Sequence, residues 1–362
     1  MVNLTGLGYV QYGDALSYSL PIAGLEKNGS TPSPGEEFYV SSTPGQIKDL
    51  VVVATGTSSN PTTTNFAGMD NAYATPSGES GSTYFSTGTY ADPSQVGGAF
   101  TGDQAQTWDA NLGALGSFLG GEDMIFFFNN NNVNSGGSAS QTLAAWMQIS
   151  ITDSLGNIIT VAPYAPGTGN ANGQAVWELT NNNSPYALVS EGGGGVFNGD
   201  PSSYQAGSAG AGPDVGSNLD TDYVLSGGAI CLDAAITPVS CAGPHVYGPI
   251  NHNLGADQAA YGVIFPEFNA LLDAMILASV DLSQFVLHVD LRLGCDPSFG
   301  GIVDGSCAIY NNFGKDLNNG YEQLFIGTAS AVFQKIPEPA SLALLGLGLA
   351  GLAFTGRRRK LI

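Results

Sequence analysis

The stretch Phe285–Leu293, FVLHVDLRL, decides the fold class. Phe285, Leu287, Val289, Leu291 and Leu293 fall on one side of an extended chain, and His288, Asp290 and Arg292 on the other. A period of two is the mark of a half-buried strand. On this reading the apolar row faces a core, and His288, Asp290 and Arg292 form a solvated surface row.

The same pattern recurs along the chain. In residues 145–161, AWMQISITDSLGNIITV, Met147, Ile149 and Ile151 alternate with Gln148, Ser150 and Thr152, and SLGN supplies a turn into a second run. Residues 46–56 (QIKDLVVVATG), 123–130 (DMIFFFNN), 222–232 (DYVLSGGAICL) and 321–333 (YEQLFIGTASAVF) read as further strands. The opening residues, MVNLTGLGYVQYGDALSYSL, read as a first strand rather than a signal peptide, because no basic segment precedes an apolar one. One helix is expected at PEFNALLDAMIL. Pro266 suits its first turn, and Phe268, Leu271, Leu272, Met275 and Ile276 share a face.

Composition agrees with short strands and long loops. Of 362 residues, 51 are glycine and only 11% are charged, whereas helices expose faces rich in Lys, Glu and Arg. The longest loop, residues 191–218, is Gly- and Asn-rich. Mainly β structure is therefore expected: a large antiparallel β-sandwich with long Gly/Asn-rich loops and one short helix, or two smaller β domains.

Charge is unevenly placed. Residues 1–335 carry five basic against 29 acidic side chains, a net −24. Such a body is repelled by nucleic acid, which excludes that partner, and it attracts cations. The end of the chain is different. Ala340–Phe354 is wholly apolar but for Ser341 and its glycines, Thr355 and Gly356 extend it to 17 residues, and RRRK follows. As a helix, 17 residues rise about 25 Å, enough to cross a bilayer's hydrocarbon layer, with the basic cluster on the cytoplasmic side.

This tail resembles the PEP-CTERM sorting signal of Gram-negative bacteria. Pro337-Glu338-Pro339 supplies the triplet, the apolar segment the transmembrane helix, and Arg357-Arg358-Arg359 the terminal cluster. The resemblance implies two parts: an extracellular β-rich domain over 1–335 and a sorting signal over 336–362. It further implies recognition by an exosortase, a membrane-embedded cysteine peptidase. The chain would pass transiently through the inner membrane and then reach the cell surface or extracellular matrix. Such cargo is linked to exopolysaccharide and biofilm.

Four cysteines form two close pairs, Cys231/Cys241 and Cys295/Cys307, at spacings that suit neither zinc nor a redox motif. In an exported protein they read as two local disulfides, one of three possible pairings. His245, His252 and Asp257 share one loop and are a candidate metal set, though at no familiar metalloprotease spacing. Asn218, Asp220 and Asp222 alternate along an extended run and are a candidate calcium site, or else a solvated edge strand. Asp296 and Asp304 form a second such pair. Among the three tryptophans, Trp146 is expected in the core, and Trp177, in QAVWELT, is expected exposed as a platform for stacking a sugar. No GxSxG nucleophile elbow occurs, and no carboxylate pair stands out. The expected function is non-enzymatic association with exopolysaccharide, by binding or structural interaction. The alternative is a secreted polysaccharide-active hydrolase.

Overall fold

The computed structural model describes residues 7–42, 49–56, 63–76, 84–129, 145–179, 196–197, 229–236, 238–239, 243–255, 257–294 and 322–333. Sixteen strands lie among them: β1 (Val10–Tyr12), β2 (Ala15–Ser19), β3 (Val51–Gly56), β4 (Tyr73–Thr75), β5 (Tyr84–Ser86), β6 (Trp108–Asn111), β7 (Ile125–Asn129) and β8 (Ala145–Asp153), then β9 (Val176–Leu179), β10 (Val196–Phe197), β11 (Ala229–Leu232), β12 (Pro238–Val239), β13 (Tyr247–Asn251), β14 (Tyr261–Ile264), β15 (Phe285–Gly294) and β16 (Gln323–Gly327). Four α-helices accompany them, α1 (Leu20–Asn28), α2 (Leu112–Leu119), α3 (Pro266–Leu277) and α4 (Ala329–Val332), with a 3-10 turn at Leu282–Gln284. The chain is mainly β with few helices, as its sequence pattern indicates.

The strands form three sheets. An eight-stranded sheet runs β10-β1-β2-β14-β7-β16-β3-β4, antiparallel except for the parallel β3/β4 pair. A second sheet runs β5-β15-β8-β9, with β6 beside β15 on the edge that β5 continues. A small third sheet runs β12-β11-β13, and its Ile230, Leu232 and Ile250 belong to the main apolar cluster. One apolar cluster joins the first two sheets: Val51, Val53, Phe126, Phe128 and Val263 from the larger, with Met147, Ile149, Ile151, Leu287, Val289 and Leu291 from the smaller. The other face of the large sheet is covered as well. Tyr18, Val52, Ile125, Phe127 and Phe325 pack there with Phe38, Val40 and Val332. Burial on both faces explains why VVVA and IFFF are continuous apolar runs while β8 and β15 alternate.

The strand expectations hold at β3, β7, β8 and β15, at β11 for the described part of 222–232, and at β16 for the first half of 321–333. The second half of that run is corrected: Ala329–Val332 forms α4. The SLGN turn is also present. Asp153 and Asn157 close it by backbone hydrogen bonding, with Gly156 at φ 83, although the run after it keeps only isolated bridges, Ile158 to Thr152 and Thr160 to Gln174. The expectation of a single helix is corrected. α3 is there with Pro266 in its first turn and Phe268, Leu271, Leu272 and Met275 buried, but Ile276 lies outward. α1 and α2 are additional. Each has a side-chain N-cap, Ser19 accepting from the Ile22 N–H and Asn111 from Gly113 and Ala114. Each ends on a left-handed glycine, Gly29 or Gly120.

The segment Ala340–Phe354 lies outside the described residues, and no helix among the described residues is long and apolar enough to cross a membrane.

Candidate functional site

The densest polar chemistry lies on the face of β15 opposite the core. There the irregular segment 87–107 crosses β15 and β6. Gly102 allows the close approach: at φ +91 it sits where an added Cβ would meet Val286 Cγ2 at 2.7 Å. The segment buries His288, which is 3% exposed, so the expected solvated row is corrected at that residue. Asp290 and Arg292, farther along β15, keep part of their exposure and pair at 2.8 Å.

Asp109 on β6 is fully buried beside His288. Its Oδ1 accepts from His288 Nδ1 at 2.7 Å and from the Thr107 hydroxyl at 2.6 Å, and its Oδ2 from the Gln104 N–H at 2.6 Å. His288 Nε2 meets Thr152 Oγ1 at 2.8 Å, so a ring with its proton on Nδ1 donates to Asp109 and accepts from the Thr152 hydroxyl. Asp70, also fully buried, accepts from the Asp109 N–H (2.7 Å) and from Gln95 Nε2 (2.7 Å). Gln95 Nε2 also reaches Asp103 Oδ2 at 3.0 Å, while Asp103 Oδ1 is buried without a hydrogen-bond partner. One amide thus bridges two carboxylates.

Oxygens of Asp70, Asp103 and Asp109 all lie within 4.8 Å of one another, the only group of three or more such ligand residues among the described residues. Burial, reinforced by the charges of Asp109 and Asp103, pushes the Asp70 carboxyl up to about 8 against the pull of its Gln95 and Asp109 hydrogen bonds. Burial and neighbouring carboxylates also raise Asp103 and Asp92. Burial and the nearby Asp92 raise Tyr73, whose hydroxyl donates to the Thr107 carbonyl at 3.0 Å. All-oxygen donors at this spacing suit a proton shared between carboxyls or a hard cation.

The other sequence candidates fall elsewhere. Trp177 is corrected: it is 1% exposed, with its ring edge-on to Phe268 and its indole N–H donating to the Thr168 carbonyl at 2.6 Å. It lies on β9 on the same side as buried Leu179, so neither ring face is open to a sugar. Trp146 is buried as expected, with the Arg292 guanidinium 4.8 Å from its ring. His245, His252 and Asp257 do not come together. His245 is exposed against the Gly243 carbonyl, whereas His252 is fully buried between Ser19 Oγ (2.6 Å) and the Ile250 carbonyl (2.9 Å). Cys231 is buried and disulfide-bonded. Cys241, Cys295, Cys307, Asn218, Asp220, Asp222, Asp296, Asp304, Pro337, Glu338, Pro339 and the arginine cluster lie outside the described residues.

A second feature went unread in the sequence. Phe66, Ala67, Ala114, Ser117 and Phe118 line an open groove of about 440 Å³. Phe66 is 45% exposed, and its ring lies 5.7 Å from that of Phe118, tilted by 37°. Gly68 at φ +84 brings this loop against α2, where an added Cβ would stand 3.2 Å from Ala114 Cβ.

A β-rich body followed by a sorting tail defines an exported, exosortase-processed envelope or surface protein, since residues 335–360 match the PEP-CTERM protein-sorting motif. The chain belongs to the family described as Domain of unknown function (DUF8239), which matches residues 2–292. No curated protein and no solved structure gives a significant match.

Proposed function

We propose that residues 1–335 form one extracellular sandwich-like domain that associates non-catalytically with exopolysaccharide at the cell surface or in the biofilm matrix. In this reading residues 336–362 cross the inner membrane transiently until exosortase removes them. The observation that carries the glycan reading is the Phe66/Phe118 groove. Two neighbouring rings, one nearly half exposed, offer the apolar faces on which pyranose C–H groups stack. The net −24 of residues 1–335 adds a condition. Anionic polysaccharide would need a bridging cation such as calcium, whereas neutral glycan would not. Pull-down of purified body with matrix polysaccharide, with and without chelator, is the test. Retention that is lost in Phe66→Ala supports the reading, and retention unchanged in Phe66→Ala and Phe118→Ala removes it.

The hydrolase alternative draws on the clustered carboxylates of Asp70, Asp103 and Asp109. Asp70 and Asp109 are fully buried, which keeps a polysaccharide chain from reaching them and favours binding over catalysis. Polysaccharide depolymerisation by purified body, abolished in Asp109→Asn, would reverse that order.

A further inference from the structure

The Phe66/Phe118 groove is electrostatically one-sided. Ala114, Ser117 and Phe118 share a face of α2 and meet Phe66 and Ala67 of the loop that Gly68 brings against the helix. The volume of about 440 Å³ is that of a small-ligand cleft. Among the described residues that line it there is no charged side chain. The one polar side chain, Ser117, donates its hydroxyl proton to the Gly113 carbonyl at 2.8 Å, so it offers a ligand an acceptor oxygen and no donor. A carboxylate placed here finds neither a donor nor a counter-charge on these side chains.

What surrounds the groove is negative. Phe118 lies in the last turn of α2, where the helix dipole concentrates negative partial charge, and no basic residue occupies that turn. Glu122 and Asp123 follow the helix directly. The 3-10 turn Leu282–Gln284 packs on α2 at Gly116, where an added Cβ would stand 3.3 Å from Leu282 Cδ1. Asp281 caps that turn, and bonds from the Ser283 hydroxyl (2.6 Å) and N–H (3.1 Å) hold its carboxyl below the usual aspartate range. The faces of the two phenylalanine rings add the negative side of their quadrupoles.

Elsewhere the same chain shows what such surroundings accept. Lys27 and Arg292 are the only lysine and arginine among the described residues, and each lies over a ring beside a carboxylate. The Lys27 ammonium is 4.8 Å from the Phe333 ring centre and 3.5 Å from Glu37. The Arg292 guanidinium is 4.8 Å from the Trp146 ring and 2.8 Å from Asp290. Phe66 and Phe118 have no such cation among the described residues.

We propose that the groove takes a sugar unit bearing a free, protonated amino group, so that the polysaccharide bound by residues 1–335 is a cationic, amine-bearing one. The inference rests on the glycan reading above and names its ligand class. The net −24 of residues 1–335, which repels a uronate polymer, draws this ligand in without a bridging metal ion. The ammonium lies over the rings, and the C–H face of the same sugar completes the contact.

Calorimetric titration of the full chain, in mild nonionic detergent at about pH 5.5 with chelator present, separates the classes. The probes are three hexasaccharides: glucosamine, its fully N-acetylated form, and galacturonate. The amine form should bind about tenfold more tightly than the N-acetylated form, and the uronate more weakly than either. Phe66→Ala should weaken the amine form about tenfold, and Phe66→Trp should restore it, both with the parent's urea midpoint because Phe66 is 45% exposed. Equal affinity for the amine and acetylated forms, or preference for the uronate, overturns the amine assignment, and the glycan reading survives it where Phe66→Ala still weakens binding. Amine binding left unchanged by both Phe66→Ala and Phe118→Ala is attraction to the acidic surface alone and overturns the site. Failure of the parent to bind any of the three overturns the glycan reading and the assignment with it.

Discussion

Replacing Asp70 with Asn should change how the stability of this protein depends on pH. In the folded state the Asp70 carboxyl is raised from 3.8 to about 8, mainly by burial, so the folded chain holds a proton that the unfolded chain releases near pH 4. Below that pH both states are protonated and the contribution to stability is complete. As pH rises toward about 8 it is lost at up to about 1.4 kcal/mol per pH unit, and above that it levels off. The full span is on the order of 5 kcal/mol, an upper bound for one group. Asp103 and Asp92, raised for similar reasons, act in the same direction. Asn keeps the shape and one of the two accepting oxygens but cannot titrate, and the one lost acceptor costs about 1 kcal/mol against the larger pH-dependent term. In Asp70→Asn the urea-unfolding free energy should therefore fall less steeply between pH 5 and pH 8, and at pH 9 the variant should be the more stable protein. Denaturant titrations at four or five pH values measure this directly. Wild-type stability that rises from pH 5 to pH 8, or the same slope in both proteins, would refute the account of a buried, shared-proton carboxyl.

Three further outcomes follow from the same geometry. His288→Ala should destabilise by roughly 2–4 kcal/mol in chemical denaturation, because it strands buried Asp109 and Thr152 together; a loss under 0.5 kcal/mol would mean the network is not buried in solution. Gly102→Ala should cost about 2 kcal/mol or more, since the added methyl meets Val286 at 2.7 Å and φ is +91; an unchanged melting temperature would place segment 87–107 elsewhere. Trp177→Phe should lower stability by about 1–2 kcal/mol through the lost Thr168 bond while leaving glycan retention intact, whereas Phe66→Ala should do the reverse.

Local periodicity reached the strands because it is a property of neighbouring residues. β15 was readable from alternation alone, but alternation cannot say what lies over the second face. His288 sits in a row that solvates Asp290 and Arg292 only in part, and segment 87–107, which covers it, has no period to betray its path. The carboxylate group was hidden for a related reason. Asp70 comes from a separate loop, brought to β6 by the Met69–Ala110 bridge and the Asp70 N–H to Asp109 carbonyl bond. Trp177 was misread although a signal existed, since its period-two partner Leu179 is apolar and shares its buried side. α1 and α2 were missed because they are short and contain Gly24, Gly113 and Gly116. Their packing outweighs that weak propensity: Gly24 lies where a methyl would overlap Pro32 Cδ at 2.8 Å.

The order of strands in the large sheet has a consequence for how the chain can be made. β3 and β7 emerge early, yet they never touch each other along their length, because β16 must lie between them. Until residues 323–327 arrive, each presents a row of unpaired backbone groups on a strongly apolar strand, VVVATG on one side and IFFFN on the other. Open strands of that kind are templates for pairing with the wrong chain, and their repair depends on a contact between distant parts of the sequence, which is slow to find. A fragment cut off after residue 292, where the family match stops, would keep both open edges for good, and we expect it to aggregate where the full body stays in solution.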